Sequence, residues 1–183
     1  MDVGVFEMGE SGLKDYGDII VDPSKKKSEI GVVTTVLLEG NRVIPVEIQA
    51  LVINSFYSMP KRTSQGVIKS KVEMLLAIMS KNISVNFTNK DVFVNVGGGF
   101  NLKDPTIDLA IVIAILSSFK NEPVESRAVY CGEISLSGVI IPPPMLEKRV
   151  TVSEKLGFQK FYANSFPKVR CKIFNRVESI GDL

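Results

Sequence analysis

The 183-residue chain contains no histidine and no tryptophan, and only two cysteines, Cys131 and Cys171. Without histidine it cannot hold a Ser-His-Asp or Cys-His nucleophile pair, so a hydrolase built here would need Lys, Asp, Glu or Tyr as its base. The cysteines stand alone rather than in CxxC pairs, and no Asp, Glu or Cys cluster has the spacing of a metal-ligand set. Both are expected to be reduced thiols, mostly buried. No apolar run reaches the roughly 18–20 residues of a membrane span. The start, MDVGVFEMGESG, has neither the basic nor the apolar region of a signal peptide. The expected localisation is cytoplasmic, with no membrane partner.

The chain is 45% hydrophobic and 23% charged, which suits one globular domain with a real core. Its net charge is only +2, but the charge is uneven. From Asn54 to Lys103 the cations are Lys61, Arg62, Lys69, Lys71, Lys81, Lys90 and Lys103, and the anions are Glu73 and Asp91, a balance of 7 − 2 = +5. A local excess of this kind points to a surface for a polyanion.

The first residues read differently from the rest. VGVFEM (3–8) has strand character, and Gly9, Gly12 and Gly17 break any helix after it. DPSKKKSE (22–29) has the composition of a linker. The predicted organisation is therefore a lone strand within residues 1–21, a linker over 22–29 and a domain over 30–183.

From Ile30 onward, IGVVTTVLLEG and RVIPVEIQALVI flank Gly40-Asn41 as a hairpin, with Pro45 marking a bulge or an edge. NSFYSMPKRTSQG (54–66) reads as a loop. A helix over 67–82 places Val67, Ile68, Val72, Leu75, Leu76 and Met79 near one face. DVFVNV (91–96) is a strand, and residues 105–119 form a nearly all-apolar, buried helix. A strand pair at 128–141, a helix at 145–157 and short strands at 158–164 and 171–177 complete the order. The expected fold class is α/β, a mixed sheet with packed helices.

Two stretches carry candidate chemistry. VNVGGGFNL is glycine-rich but lacks the GKS or GKT ending of a phosphate-cradling loop, so it reads as a wide turn with positive φ angles. In DPTIDLA (104–110), Thr106 sits where some hydrolases hold a nucleophile. Asp104 is an equally good N-cap, Pro105 suits the first helical position, and Asp108 lies at the positive end of the helix dipole. On those grounds Thr106 is a helix-start residue.

DVFVNVGGGFNLKDPTIDLA, followed by CGEISLSGVIIPPPMLEKRVTVSEKLGF, resembles the proteolytic domain of Lon. More closely, with VGVFEM, EGNRVIPVEIQALV and MPKRTSQG, the chain resembles the Lon protease-like C-terminal domain of bacterial RadA (Sms) DNA repair proteins, from Val3 to about Asn164. The resemblance implies a fold like ribosomal protein S5 domain 2. It makes residues 1–21 the end of a RecA-like ATPase core and 30–183 the Lon-like domain. Lon proteases use a Ser-Lys dyad, and the corresponding positions here hold Thr106 and Glu147, a degenerate pair. Lys148 and Arg149 adjoin Glu147 but point elsewhere on the helix.

RadA-type proteins are hexameric DNA-dependent ATPases that drive branch migration of recombination intermediates. The resemblance therefore implies duplex or branched DNA, a homo-hexamer and recombination proteins as partners. Matching positions make Arg42, Arg62 and Lys71 the phosphate-contacting residues, with Lys61, Lys69 and Lys103 as weaker candidates. Asn101 and Ile141 depart from basic residues common in the family. The zinc finger, the phosphate-binding loop and the KNRFG motif are absent from the sequence, so ATP, Mg and Zn are expected only in a missing N-terminal part. The chain by itself is expected not to be an enzyme, having neither ATPase motifs nor the dyad. Two alternatives stand beside the DNA-binding expectation: a purely structural ring-forming domain, and a residual peptidase using Thr106.

Overall fold

A computed structural model describes residues 6–9, 12–15, 27–40, 42–165 and 171–183. Near the start, β1 (Phe6–Gly9) pairs antiparallel with β2 (Gly12–Asp15), so the strand expected to lack a partner is one arm of a hairpin. Most of the linker expected at 22–29 lies outside the described residues.

The domain is organised by β3 (Val32–Glu39) and β4 (Arg42–Asn54), which pair antiparallel in unbroken register from Val32↔Gln49 to Glu39↔Arg42. Pro45 fits because only the Ile48–Asn54 half of β4 meets the next strand, β6 (Lys90–Val96). The missing N–H of Pro45 therefore costs no ladder bond on that side. The edge is real; there is no bulge.

Seven strands form one sheet in the order β11-β10-β7-β3-β4-β6-β5, where β5 is Arg62–Gln65, β7 Ala128–Tyr130, β10 Lys160–Ala163 and β11 Phe174–Arg176. The β3–β4 and β4–β6 pairs are antiparallel and the other four are parallel, so the sheet is mixed, as expected. A small hairpin of β8 (Glu133–Ile134) and β9 (Ile140–Ile141) stands apart.

Alternation along the strands feeds two cores. Val33 and Leu37 pack in one with α1 (Lys69–Asn82) and α2 (Asp108–Lys120). Val36 and Val129 pack in the other with Val150 of α3 (Leu146–Lys155) and Phe158 and Phe161 beyond it. Helix α2 is buried on all sides for its first ten residues, as its apolar composition requires. The stripe on α1 starts later than expected. Ile68 is the residue before the helix, with extended ψ, and is exposed, while Ile78 joins Val72, Leu75, Leu76 and Met79 inside.

The glycine run turns as its composition demands, with Gly98 at φ 73° and Gly99 at φ 70°. Gly66 is needed for a different reason. Its φ is +77°, and a Cβ there would lie 2.4 Å from the Phe100 carbonyl oxygen. That close approach lets the Leu102 N–H donate to the Gly66 carbonyl at 2.7 Å, which places Lys103 beside the end of β5.

Candidate nucleic-acid interface

Two clusters of charge sit on this frame. The first is at the start of α2. Asp104 Oδ1 accepts from the Thr106 N–H at 2.9 Å, with Pro105 opening a 3-10 turn that runs into the helix. Thr106 is 2% exposed, and its Oγ1 faces the Cys131 thiol without closing a hydrogen bond of good geometry. Glu147 is exposed in the first turn of α3.

The side chain that enters this region is Arg149, two residues or about 200° further round the helix. Arg149 is 1% exposed. Its Nη1 donates to the Val36 carbonyl at 2.5 Å and its Nε to the Pro144 carbonyl at 3.0 Å, while Nη2 lies 3.4 Å from Asp104 Oδ2. Arg149 is the most buried cation of the described residues, a placement that its position beside Glu147 in the sequence does not reveal. Ser153, one helical turn on and on the same face, is buried with it.

Burial pushes the Cys131 thiol up to about 11, against a partial lowering by the neighbouring Arg149 charge. Asp108, at the first position of α2, is almost fully buried. Desolvation raises its carboxyl above the ordinary value, and the hydrogen bond and charge of Lys71 oppose that rise. Lys71 Nζ reaches Asp108 Oδ1 at 2.8 Å, and the Ile134 N–H approaches Oδ2 at 3.4 Å.

The second cluster is the basic rim. Arg62 opens β5 but turns inward, donating to the carbonyls of Lys61 at 3.1 Å, Phe87 at 2.9 Å and Lys90. Lys71 likewise turns to a protein partner, Asp108. Both had been expected to meet phosphate, and their fixed partners come from the tertiary fold, which sequence spacing does not reveal. The remaining candidates, Arg42, Lys61, Lys69 and Lys103, are exposed.

Arg42 stands opposite Glu39 at the hairpin. Lys69 opens α1 and sits 3.5 Å from Glu73, a surface pair one helical turn apart. Lys61 donates its backbone N–H to Asp91 at 2.6 Å, which holds that carboxyl below the usual range. Its ammonium lies 4.1 Å from the Tyr57 ring centroid. β5 itself, with its alternating polar sequence RTSQ, escaped the sequence reading because it has no apolar run. It pairs with β6 as the sheet's outer strand.

Register gives the rim a length. Lys61 is level with Ile53 of β4, the Gly66 end of β5 is level with Ile48, and Arg42 lies at the far tip. Eleven residues of strand between those levels span roughly 35 Å.

These features define an α/β domain with helices on both faces of a mixed sheet, a charged, partly committed rim and an inward-locked helix start. The chain belongs to the family described as subunit ChlI of Mg-chelatase, whose match covers residues 48–164. It is also similar, along most of its length, to proteins named DNA repair protein RadA. The Helicobacter pylori (strain ATCC 700392 / 26695) relative is 36% identical over 175 residues, 94% of this chain and 39% of the relative. The Rickettsia conorii relative is 32% identical over 188 residues, all of this chain and 41% of the relative. The Bacillus subtilis (strain 168) relative is 35% identical over 165 residues, 87% of this chain and 35% of the relative. The chain thus spans about two fifths of the length of the curated relatives it matches.

These matches overturn one expectation. The chain was expected not to be an enzyme and to stand apart from ATPase motifs. Instead, residues 48–164 match the family described as subunit ChlI of Mg-chelatase, so the lack of short catalytic motifs does not by itself set the chain apart from enzymes. No helix among the described residues is long and apolar enough to cross a membrane.

Proposed function

We propose that this chain is a DNA-contacting and ring-assembling part of a RadA-type repair ATPase, acting as a homo-hexamer in branch migration of recombination intermediates. One observation carries the reading: the +5 segment from Asn54 to Lys103, whose exposed Lys61 and Lys103 lie at opposite ends of β5. Arg42 lies farther along the strand direction at the hairpin tip, and Lys69 is exposed at the start of α1. The rim's length, roughly 35 Å, is about one turn of duplex DNA. Lysine and arginine on such a rim neutralise phosphates without reading sequence. The name of the relatives, DNA repair protein RadA, supports the same substrate.

In this reading Thr106 and Glu147 are a degenerate Lon-type pair. The buried Thr106 hydroxyl has no route to a peptide, and Glu147 points to solvent. The test is fluorescence anisotropy of a labelled duplex titrated with the chain at low and physiological salt. Salt-sensitive binding supports DNA contact; no binding by an assembled ring opposes it.

A second reading, a purely structural ring-forming domain, is favoured by the inward commitment of Arg62 and Lys71. It predicts oligomers in solution with no affinity for DNA.

A further inference from the structure

The loop from Ser55 to Lys61 presents the two most exposed large hydrophobic side chains of the described residues, Phe56 and Met59, with Tyr57 between them in sequence. Phe56 is 90% exposed, Met59 81% and Tyr57 60%. Leaving two aromatic rings and a methionine in water is unfavourable, so a surface like this marks a contact.

The loop is held in place from both ends. The Ser55 N–H donates to the Asn89 carbonyl at 2.9 Å, at the foot of β6. The Tyr57 N–H donates to Ser55 Oγ at 3.2 Å, closing a tight local turn. At the other end, the Lys61 N–H donates to Asp91. The rings are therefore presented on a fixed backbone, which lowers the ordering cost of any ligand that stacks on them.

The charge around the rings selects the ligand. No acidic residue lies between Asn54 and Arg62, and Asp91, at the foot of β6, accepts from the Lys61 amide. Lys61 Nζ sits over the Tyr57 ring, and Lys90 Nζ donates to Asn54 Oδ1 at 2.6 Å close by. Exposed rings beside cations, in a segment whose sequence carries no carboxylate, match a chain that alternates flat bases with phosphates. A duplex hides its bases in the stack and cannot use the rings; an unpaired strand can.

We propose that Phe56 and Tyr57 form a stacking platform for the bases of single-stranded DNA, with Lys61 on the adjoining phosphate. This rests on the DNA-binding reading above and refines it: the rim holds duplex phosphates and the loop takes a displaced strand.

The test uses the full 183-residue chain and three labelled probes of equal length: oligo-dT, an abasic strand with the same phosphates, and a duplex. The expected result is that oligo-dT binds at least about fivefold tighter than the abasic strand, the magnitude of one or two stacked bases. Phe56→Ala/Tyr57→Ala should abolish that preference while leaving duplex affinity and its salt dependence unchanged. Equal, salt-sensitive binding of oligo-dT and the abasic strand by the unaltered chain would overturn the stacking proposal and leave the phosphate reading standing. Failure to bind any of the three at low salt would overturn both. Capture by phosphatidylglycerol vesicles without oligo-dT binding would also overturn it, in favour of a lipid surface.

Discussion

Lys71, in the first turn of α1, and Asp108, at the first position of α2, form an ion pair of 2.8 Å whose acidic partner is almost wholly buried. The pair joins the two helices that cover one face of the sheet, and Asp108 also anchors the β8 amide of Ile134. A lysine that the sequence suggested for phosphate is thus a strut of the fold.

Lys71→Met is expected to destabilise the domain by about 2 kcal/mol, because it leaves a buried carboxylate unpaired; partial exposure of Lys71 reduces the larger cost of a fully buried pair. The pH dependence follows from the raised carboxyl of Asp108. A folded-state value above the unfolded one favours the protonated form, which contributes stability at low pH and loses it as pH rises through the folded value. Removing Lys71 takes away the two influences that oppose the rise. The deficit of the variant should therefore be small below about pH 4 and grow toward neutrality, as read by urea unfolding at several pH values.

Arg149 joins α3 to β3, the proline turn and the Asp104 cap. Arg149→Met should cost about 3 kcal/mol by stranding the buried Val36 carbonyl and removing the charge partner of Asp104. Arg149→Lys should recover little, since one ammonium cannot reproduce the planar fork. Denaturant midpoints of the two variants check this.

Thr106→Val should leave stability unchanged or raise it by up to about 1 kcal/mol, because it replaces a buried hydroxyl that lacks a good partner with a methyl. Asp104→Ala should do the reverse, losing about 1 kcal/mol of cap and more from Arg149. Thermal melts of both variants separate a helix-start role from any other.

Cys131, pushed up to about 11 by burial, should resist iodoacetamide at pH 8 in the folded chain, while the half-buried Cys171 reacts. The folded thiol holds its proton more tightly than the ordinary value of 9.0. Its contribution is therefore complete below about pH 9 and disappears as pH rises through about 11. Mass spectrometry before and after unfolding reads the modified cysteine directly.

Much of the fold was legible because local signals agreed with one another. The Gly40 hairpin, the all-apolar α2, the positive-φ glycines and the Asp104-Pro105 helix start each depend on neighbours in sequence. What escaped depends on distant partners. The polar strand β5 exists because β6 supplies its ladder. Arg149 is buried because Val36, Pro144 and Asp104 converge on it, and Lys71 turns in because Asp108 waits across the helix interface. Ile68 satisfied the periodicity yet stands one residue before the helix, where the stripe no longer applies. At the candidate interface the excess of positive charge was readable; which cations remain free for a ligand was not.

The most direct test of DNA contact is the slope of log affinity against log salt for a labelled duplex, measured with the chain and with Lys61→Ala/Lys69→Ala/Lys103→Ala. Three phosphate-neutralising lysines predict that the variant's slope is shallower by roughly 2 to 3, since each contact contributes about 0.9. An identical slope in the two proteins would contradict the assignment of the rim, and no binding by the unaltered chain in its assembled ring would contradict the DNA-contacting role itself.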